Sequence, residues 1–350
     1  MSEFAFIDEL RRLTQSKRGA SSSDTRSSTL TLGIGDDAAV IQSRPGVDTV
    51  VTTDLLVEDV DFRRDSMLPR MLGHKALAVS LSDIAAMGAA PRWSLISLGL
   101  PESVWESNFV AEFYEGFFSL ADHYSVSLAG GDVSRTPETI VIDSIVLGEV
   151  LRGQAVRRRG AQPGDLIFVT GTLGGAAAGL RLLETGARPH SLHEREVDHD
   201  AIAALLLRQM CPEPRVGWGR VLGEERLATA MIDISDGLSS DLRHLCRASD
   251  TGALLQSASL PLDVHAVELC GRRALDPLLL ALHGGEDFEL LFTVNPKDAA
   301  RLPRQVDGTP VTQIGEITNE IGCIRIAEGS HVWNLEPGGF EHFKTRHTGR

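Results

Sequence analysis

Six short stretches of this chain set carboxylates beside glycine or hydroxyl residues at the ends of apolar runs. "LGIGDDAAV" carries Asp36 and Asp37, "VTTDLLVEDVDF" carries Asp54, and "VSLSDIAAMG" carries Asp83. "LAGGDVSR" carries Asp132, "MIDISDGLSSDL" carries Asp233 and Asp236, and "LHGGEDFELLF" carries Glu286 and Asp287. Adjacent carboxylates repel unless something positive lies beside them. A carboxylate among small apolar residues, as at Asp83, needs a partner if it is buried. Each stretch also has a structural explanation. Asp36 and Asp37 could sit on a solvated turn, and Ser235 or Asp236 could cap a helix starting near Leu238. Asp132 could be a turn residue and Glu286-Asp287 a solvated hairpin end. Taken jointly, the six favour a hard cation with oxygen ligands. Mg2+ typically takes one or two carboxylates, keeps waters and meets substrate phosphates. Several cations are needed when two polyanions must meet, as when a phosphate monoester attacks the γ-phosphate of ATP. Such a nucleophile is already ionised, which fits a chain with many aspartates and no evident catalytic histidine.

Other chemistries are disfavoured. There is no G-x-x-x-x-G-K-[ST], so this is not a P-loop enzyme. "TGTLGGAAAGL" lacks the G-x-G-x-x-G spacing and reads as a tight turn with close helix–strand packing. His190, His193 and His199 lie in a polar segment and read as solvated, not as zinc ligands. No Ser, Cys and His arrangement stands out for nucleophilic catalysis. The chain has 48 Asp+Glu against 34 Lys+Arg, which argues against nucleic acid as a partner. Its four cysteines form no C-x-x-C pair and read as reduced thiols. The N-terminus carries acids, unlike a signal peptide, and no apolar run is long enough to span a membrane. The expected location is the cytoplasm.

The elements that must position these acids can be read from patterning. Residues 1–28 read as a short amphipathic helix and a flexible Ser-rich loop, Ser16 to Ser28. Strands are expected at Thr29–Ile34, Ala38–Gln42 and Asp48–Thr53. A helix is expected over Pro69–Ala89, opened by proline and closed by Gly88. "RWSLISLGLP", "VSLAGGD" and "ETIVIDSIVLGEV" read as strands. "VWESNFVAEFYEGFFSLADHY" reads as one amphipathic helix with an aromatic stripe for the core. "RRRGAQPGD" (Arg157–Asp165) looks like a domain joint. Beyond it come strand, glycine turn and helix, then strand, Asp-rich turn and helix, then the strand "FELLFTV". Alternating strands and helices give an α/β (α+β) class in two domains. The boundaries expected are 29–150 for an N-terminal domain and 151–350 for a C-terminal α/β domain.

The ordered set "LGIGDDAAV", "TTDLLVEDVDF", "KALAVSLSDIAAMGAAPRW", "LAGGDVSR", "IDISDGLSSDL" and "GGEDFELLFTV" resembles the thiamine-monophosphate kinase family. The resemblance runs from about Leu32 to the C-terminus. It implies ATP-dependent, Mg2+-dependent phosphorylation of thiamine monophosphate to thiamine diphosphate. It also implies an aminoimidazole ribonucleotide synthetase-like fold, in a homodimer whose N-terminal mixed sheets pair into a shared barrel. By position, it implies that Asp37, Thr52, Thr53, Asp54, Asp83, Asp132, Asp233 and Asp236 hold Mg2+. Gly131, Asp132, Arg158 and Ser235 are implied to contact ATP, and Glu286 and Phe340 to line the substrate side. The chain departs from the family at "DLLVEDVDF", where the family usually reads D-x-L-V-x-G-V-H-F. Asp59 replaces Gly, Asp61 replaces a substrate-associated His, and Ser80 stands where Asn is common. At neutral pH Asp61 only accepts hydrogen bonds, and it is expected to contact the acceptor. Two alternatives stay open: another ATP-using enzyme of this superfamily with a different acceptor, or a nucleotide- or thiamine-binding protein without turnover.

Overall fold

A computed structural model describes residues 12, 30–32, 40–42, 44–188, 197–273 and 275–339, with backbone alone at 30–32, 40 and 197–200. Asp36, Asp37, Phe340 and the Ser-rich loop lie outside the described residues. The chain forms two compact units. One comprises Met1–Ala155, Ala187–Ser191 and Met210–Glu225, the other Val156–Gly186, Leu192–Gln209 and Arg226–Arg350.

In the first unit, β1 (Leu30–Leu32) and β2 (Val40–Ile41) form an antiparallel pair. The main sheet comprises β3 (Val47–Val57), β4 (Ala90–Leu100), β5 (Ser127–Arg135) and β6 (Val141–Leu151), in the order β3-β6-β4-β5. The β4–β5 pair is parallel, and the others are antiparallel. One face of this sheet is covered by α1 (Pro69–Ala86), which is apolar nearly all round and buried over most of its length, as such a helix must be. A short α2 (Glu102–Trp105) precedes α3 (Phe109–His123). The expected single helix is therefore two. Ser107 makes the break, donating to the Val104 carbonyl at 2.7 Å and accepting from the Phe109 N–H at 3.1 Å. The aromatic stripe is core: Phe113 and Phe117 are fully buried. Helices α1 and α3 cross on bare backbone. A Cβ at Gly73 would strike the Phe113 carbonyl, and one at Gly116 the Arg70 carbonyl.

β3 alternates between the two faces, as a strand's period of two requires. Val50, Thr52, Asp54 and Leu56 turn toward α1. Thr49, Val51, Thr53 and Leu55 turn to the open face. The strand runs four residues further than Thr53, so that Asp54 is inside it and not at its end.

The second unit is built on an eight-stranded sheet. Its members are β7 (Leu166–Thr170), β8 (Ala228–Asp233), β9 (Gly252–Gln256), β10 (Leu290–Val294), β11 (Gln305–Val306), β12 (Thr309–Thr318), β13 (Ile324–Glu328) and β14 (His331–Asn334). The order is β14-β13-β9-β12-β7-β10-β8, with β11 on β12, and β13–β9 is the parallel pair. Helices α4 (Gly175–Glu184), α5 (Val197–Met210), α7 (Leu238–Ser249), α8 (Val264–Arg273) and α9 (Pro277–His283) belong here, whereas α6 (Val216–Glu224) clusters with the first unit. All five residues of β10 are buried, consistent with its central place beside β7 and β8.

Candidate active site

The first unit sorts the predicted acids by sheet face. On the α1 side, Ser80 of α1 donates to Asp54 at 2.7 Å and lies 3.1 Å from the Ser144 hydroxyl. The Thr52 hydroxyl donates to the Asp83 carboxylate. Thr52, Asp54, Ser80 and Asp83 thus form one oxygen-lined group between β3 and α1. Burial, then the charge of Asp83, push the Asp54 carboxyl up to about 6, with the Ser80 hydroxyl acting against them.

The open face carries a second group. Leu55, Asp143, Ser97 and Asp132 are paired in register across β3, β6, β4 and β5, so their side chains share that face. Thr53 donates to Asp143 at 2.6 Å. Asp143 and Asp132 sit on strands either side of β4, about 10 Å apart. Gly131 precedes Asp132 where only glycine fits, because a Cβ would meet the Ile96 carbonyl. Asp143 was not among the residues singled out in the sequence. Nothing in "VIDSIV" distinguishes it, and only strand register places it beside Thr53. Among the described residues no three His, Cys, Asp or Glu side chains converge to hold a metal ion by themselves. The groups that do form combine carboxylates with hydroxyls, which matches an ion that completes its shell with water and phosphate.

In the second unit, Asp233 ends β8 and the chain turns through Ser235, Asp236 and Gly237 into α7. Neither Ser235 nor Asp236 caps that helix; Gly237, at φ +111°, is the N-cap, without a side-chain bond. Instead Asp241 reaches back from the first turn, and one of its oxygens accepts the N–H groups of Asp236 and Gly237, both at 3.1 Å. This is a variant of the reciprocal cap in which an acid inside the helix satisfies donors before it. It leaves the Asp236 side chain out of the capping role. Burial, then the charges of Asp233 and Asp236, push the Asp241 carboxyl up to about 8. Asp241 was legible only as part of "SDGLSSDL".

Glu286 is brought beside this turn by backbone pairing. Its N–H donates to the Ser235 carbonyl at 2.8 Å, and Phe288 donates to Ile234 at 2.9 Å. Glu286 and Phe288 both take left-handed backbone, at φ +67° and +50°, which puts their side chains on special paths. Gln209 donates to the Glu286 carboxylate. Asp287 is buried rather than solvated, and its two oxygens accept from Gly174 at 2.7 Å and Ala176 at 3.1 Å. That carboxylate fills the N-terminus of α4, so the glycine turn of "TGTLGG" is a structural joint. Arg208 lies 3.6 Å from Asp287 and 3.3 Å from the buried Glu289.

The remaining predicted residues are placed as follows. The Arg158 side chain is exposed, while its carbonyl accepts from Ser249 at 3.2 Å. Asp61 is half-buried, and one of its oxygens accepts the Val57 N–H at 2.8 Å. Asp59, where the family reads Gly, has φ +68°, a left-handed conformation that Asp tolerates better than most residues.

Residues 35–150 match the N-terminal domain of AIR synthase related proteins, and residues 162–325 match their C-terminal domain. Fold and site thus define an AIR synthase-related protein of two domains. The thiamine-monophosphate kinase of Bacillus subtilis (strain 168) is 38% identical over 322 residues, 91% of this chain and 95% of that protein. A crystal structure of thiamine-monophosphate kinase from Stenotrophomonas maltophilia K279a has a TM-score of 0.78 at 38% identity, covering 93% of this chain and 96% of that one. AaThiL complexed with AMPPCP and TMP has a TM-score of 0.75 at 34% identity, covering 97% of each chain. The chain belongs to the thiamine-monophosphate kinase family.

The Asp54–Asp83 pair makes a prediction for the metal-free protein. A carboxyl whose pKa is raised on folding costs stability as pH rises from the unfolded value, near 4, through the folded value of about 6. Asp54→Asn keeps an oxygen for Ser80 and removes that cost. It is expected to stabilise the metal-free protein by about 1–3 kcal/mol at pH 8, with the gain shrinking at pH 5. Thermal melts in chelator at the two pH values check this. An unchanged or lower melting point at pH 8 would contradict it.

Proposed function

We propose that this chain transfers the γ-phosphoryl group of ATP directly to thiamine monophosphate, giving thiamine diphosphate and ADP. The observation that carries the reading is the half-buried oxygen group of Thr52, Ser80, Asp54 and Asp83 between β3 and α1, together with the acids at the turn into α7, Asp233 and Asp236, in the other unit. Each is suited to a divalent cation.

Mg2+ would be held by Thr52, Asp54 and Asp83, by Asp233 and Asp236, and, on separate strands of the open face, by Thr53 and by Asp132, with Asp37 contributing; it would neutralise charge between the two polyanions. Gly131, Asp132, Arg158 and Ser235 contact ATP in this reading. The exposed guanidinium of Arg158 is suited to phosphate oxygens. Glu286, Asp61 and Phe340 line the acceptor side. A phosphate oxygen of thiamine monophosphate attacks the γ-phosphorus in line. The bond from that phosphorus to the β-bridging oxygen breaks, and its electrons leave with ADP. The attacking oxygen carries no proton, so no general base is assigned. Residues 29–150 form the ATP- and Mg2+-binding and dimerisation domain in this reading, and 151–350 the C-terminal α/β domain. Among the described residues no helix is long and apolar enough to cross a membrane, and the reading places the enzyme in the cytoplasm.

The open face of the first sheet supports a homodimer. Val51 is 64% and Leu55 58% exposed, with Leu95 and Ile145 beside them on the same face. Pairing two such faces removes this apolar surface from water. A second reading, a different phosphate acceptor, is favoured by Asp59 and Asp61 and is separated from the first by a substrate panel.

Three outcomes are expected. With ATP, Mg2+ and thiamine monophosphate, thiamine diphosphate and ADP form in equal amounts; ATP binding without product would move the search to another acceptor. Asp132→Ala loses turnover by about 100-fold or more with an unchanged melting point, and full activity would remove Asp132 from the site. Asp61→Ala raises the acceptor KM several-fold, whereas unchanged KM and kcat would leave Asp61 with its turn-forming role alone. For the assembly, light scattering should give twice the chain mass for the native protein and once that mass for Leu55→Glu.

A further inference from the structure

Three separate segments of the second unit carry residues assigned to the metal, to ATP or to the acceptor. They are the Asp233–Gly237 turn, the loop from α9 to Glu286, and the chain that leads into Phe340. These segments meet at one node. Ser239, in the first turn of α7, is 1% exposed. Its hydroxyl lies 2.9 Å from Nδ1 of His283, the last residue of α9, and accepts the Gly338 N–H at 3.3 Å. The C-terminal segment is anchored just before this point, where the buried Leu335 donates to the Ile324 carbonyl at 2.8 Å. It then runs so close to the node that side chains are excluded. A Cβ at Gly338 would strike the His283 ring, and one at Gly339 would strike the Asp236 carbonyl and Ser240. Gly237 in turn packs its Cα side against the backbone of His283 and Gly284.

We propose that Ser239 and His283 are positioning residues that latch the Leu335–Gly339 segment onto the Asp236 turn and the Glu286 loop, and so set the geometry of the acceptor half of the site. The proposal rests on the assignment of Asp236 and Glu286 given above. Neither latch residue need touch a substrate. One hydroxyl joins the three segments, and two glycines let the third lie flat against the first. Losing the latch frees the Leu335–Gly339 segment that leads to Phe340. It leaves Asp54, Asp83 and Asp132, in the other unit, as they are. The Ser235 carbonyl stays paired to the Glu286 N–H, and the Asp236 and Gly237 N–H groups to Asp241, so the metal and nucleotide contacts of that turn are kept. The signature is therefore asymmetric: binding of the phosphate acceptor weakens while binding of ATP does not.

Steady-state kinetics on the full chain test this. Ser239→Ala and Gly339→Ala are each expected to raise the KM for thiamine monophosphate about tenfold, with the KM for ATP and the melting point unchanged. His283→Asn keeps an acceptor near the position of Nδ1 and is expected to stay near the native values, whereas His283→Leu behaves like Ser239→Ala. An unchanged acceptor KM in Ser239→Ala would overturn the latch, as would parallel losses in both KM values and in melting point. If the native chain makes no thiamine diphosphate, the functional reading fails by itself, and the latch is then judged by amide hydrogen exchange. Faster exchange across Leu335–Gly339 in Ser239→Ala would uphold it; unchanged exchange would overturn it.

Discussion

Mutual repulsion between carboxylates that the fold refuses to separate is the constraint on which this structure turns. Asp54 is held beside Asp83, and Asp241 beside Asp233 and Asp236, in places where burial already disfavours charge. A chain selected for stability alone would put an apolar residue or an arginine there. Here the polar partners include hydroxyls and backbone N–H groups: Ser80 to Asp54 and Thr52 to Asp83 in one unit, the N–H groups of Asp236 and Gly237 to Asp241 in the other. Such partners orient a carboxylate without cancelling its charge. The Arg208 cluster shows the opposite solution. There, buried Asp287 and Glu289 share a guanidinium and serve to lock a joint.

The rest of the architecture follows from keeping such groups apart and rigid. In the first unit the hydrogen-bonded sheet is itself the divider, because adjacent residues of β3 point to opposite faces. Thr52 and Thr53, neighbours in sequence, therefore serve different groups, one with Asp83 and one with Asp143. The close crossing of α1 and α3 over Gly73 and Gly116 fixes α1, and with it Ser80 and Asp83, against β3. In the second unit the turn after β8 is fixed by a carboxylate from within α7, and its neighbour Glu286 by pairing to the same stretch of backbone.

Most of the acids were legible as a class, because a carboxylate beside glycine at the end of an apolar run is conspicuous. Their grouping was not. Ending the strand at Thr53 would have left Asp54 on a loop; the two faces appear only once β3 is seen to run to Val57. Asp143 was invisible because its meaning comes from cross-strand register with Leu55 and Ser97. A residue on one strand carries no sequence signal of its partners on others. Asp241 and Asp287 were in view within quoted motifs, yet their work is done on backbone N–H groups, 4–5 residues away in one case and 111–113 in the other. The expectation that Ser235 or Asp236 caps α7 failed for a related reason. Gly237 takes a φ of +111°, open mainly to glycine, so Gly237 is the N-cap of a helix that starts at Leu238 as expected, and the acid that serves its start lies inside it.

The departures at Asp59 and Asp61 follow the same physics. Asp59 takes the left-handed backbone of a glycine position, and its N–H closes the turn onto the Phe62 carbonyl at 2.7 Å. Asp61 then returns to accept the Val57 N–H. The two acids form this turn, with Asp61 helping to hold it. A carboxylate that binds its own backbone through one oxygen still presents the other. Unlike an imidazole, it adds negative charge to a region already acidic. An acceptor that meets Asp61 must therefore offer hydrogen-bond donors or positive charge there, as the aminopyrimidine and the cationic thiazolium of thiamine monophosphate do. If Asp61 meets the acceptor as proposed, a purely anionic body would be repelled there and a cationic or donor-rich one favoured.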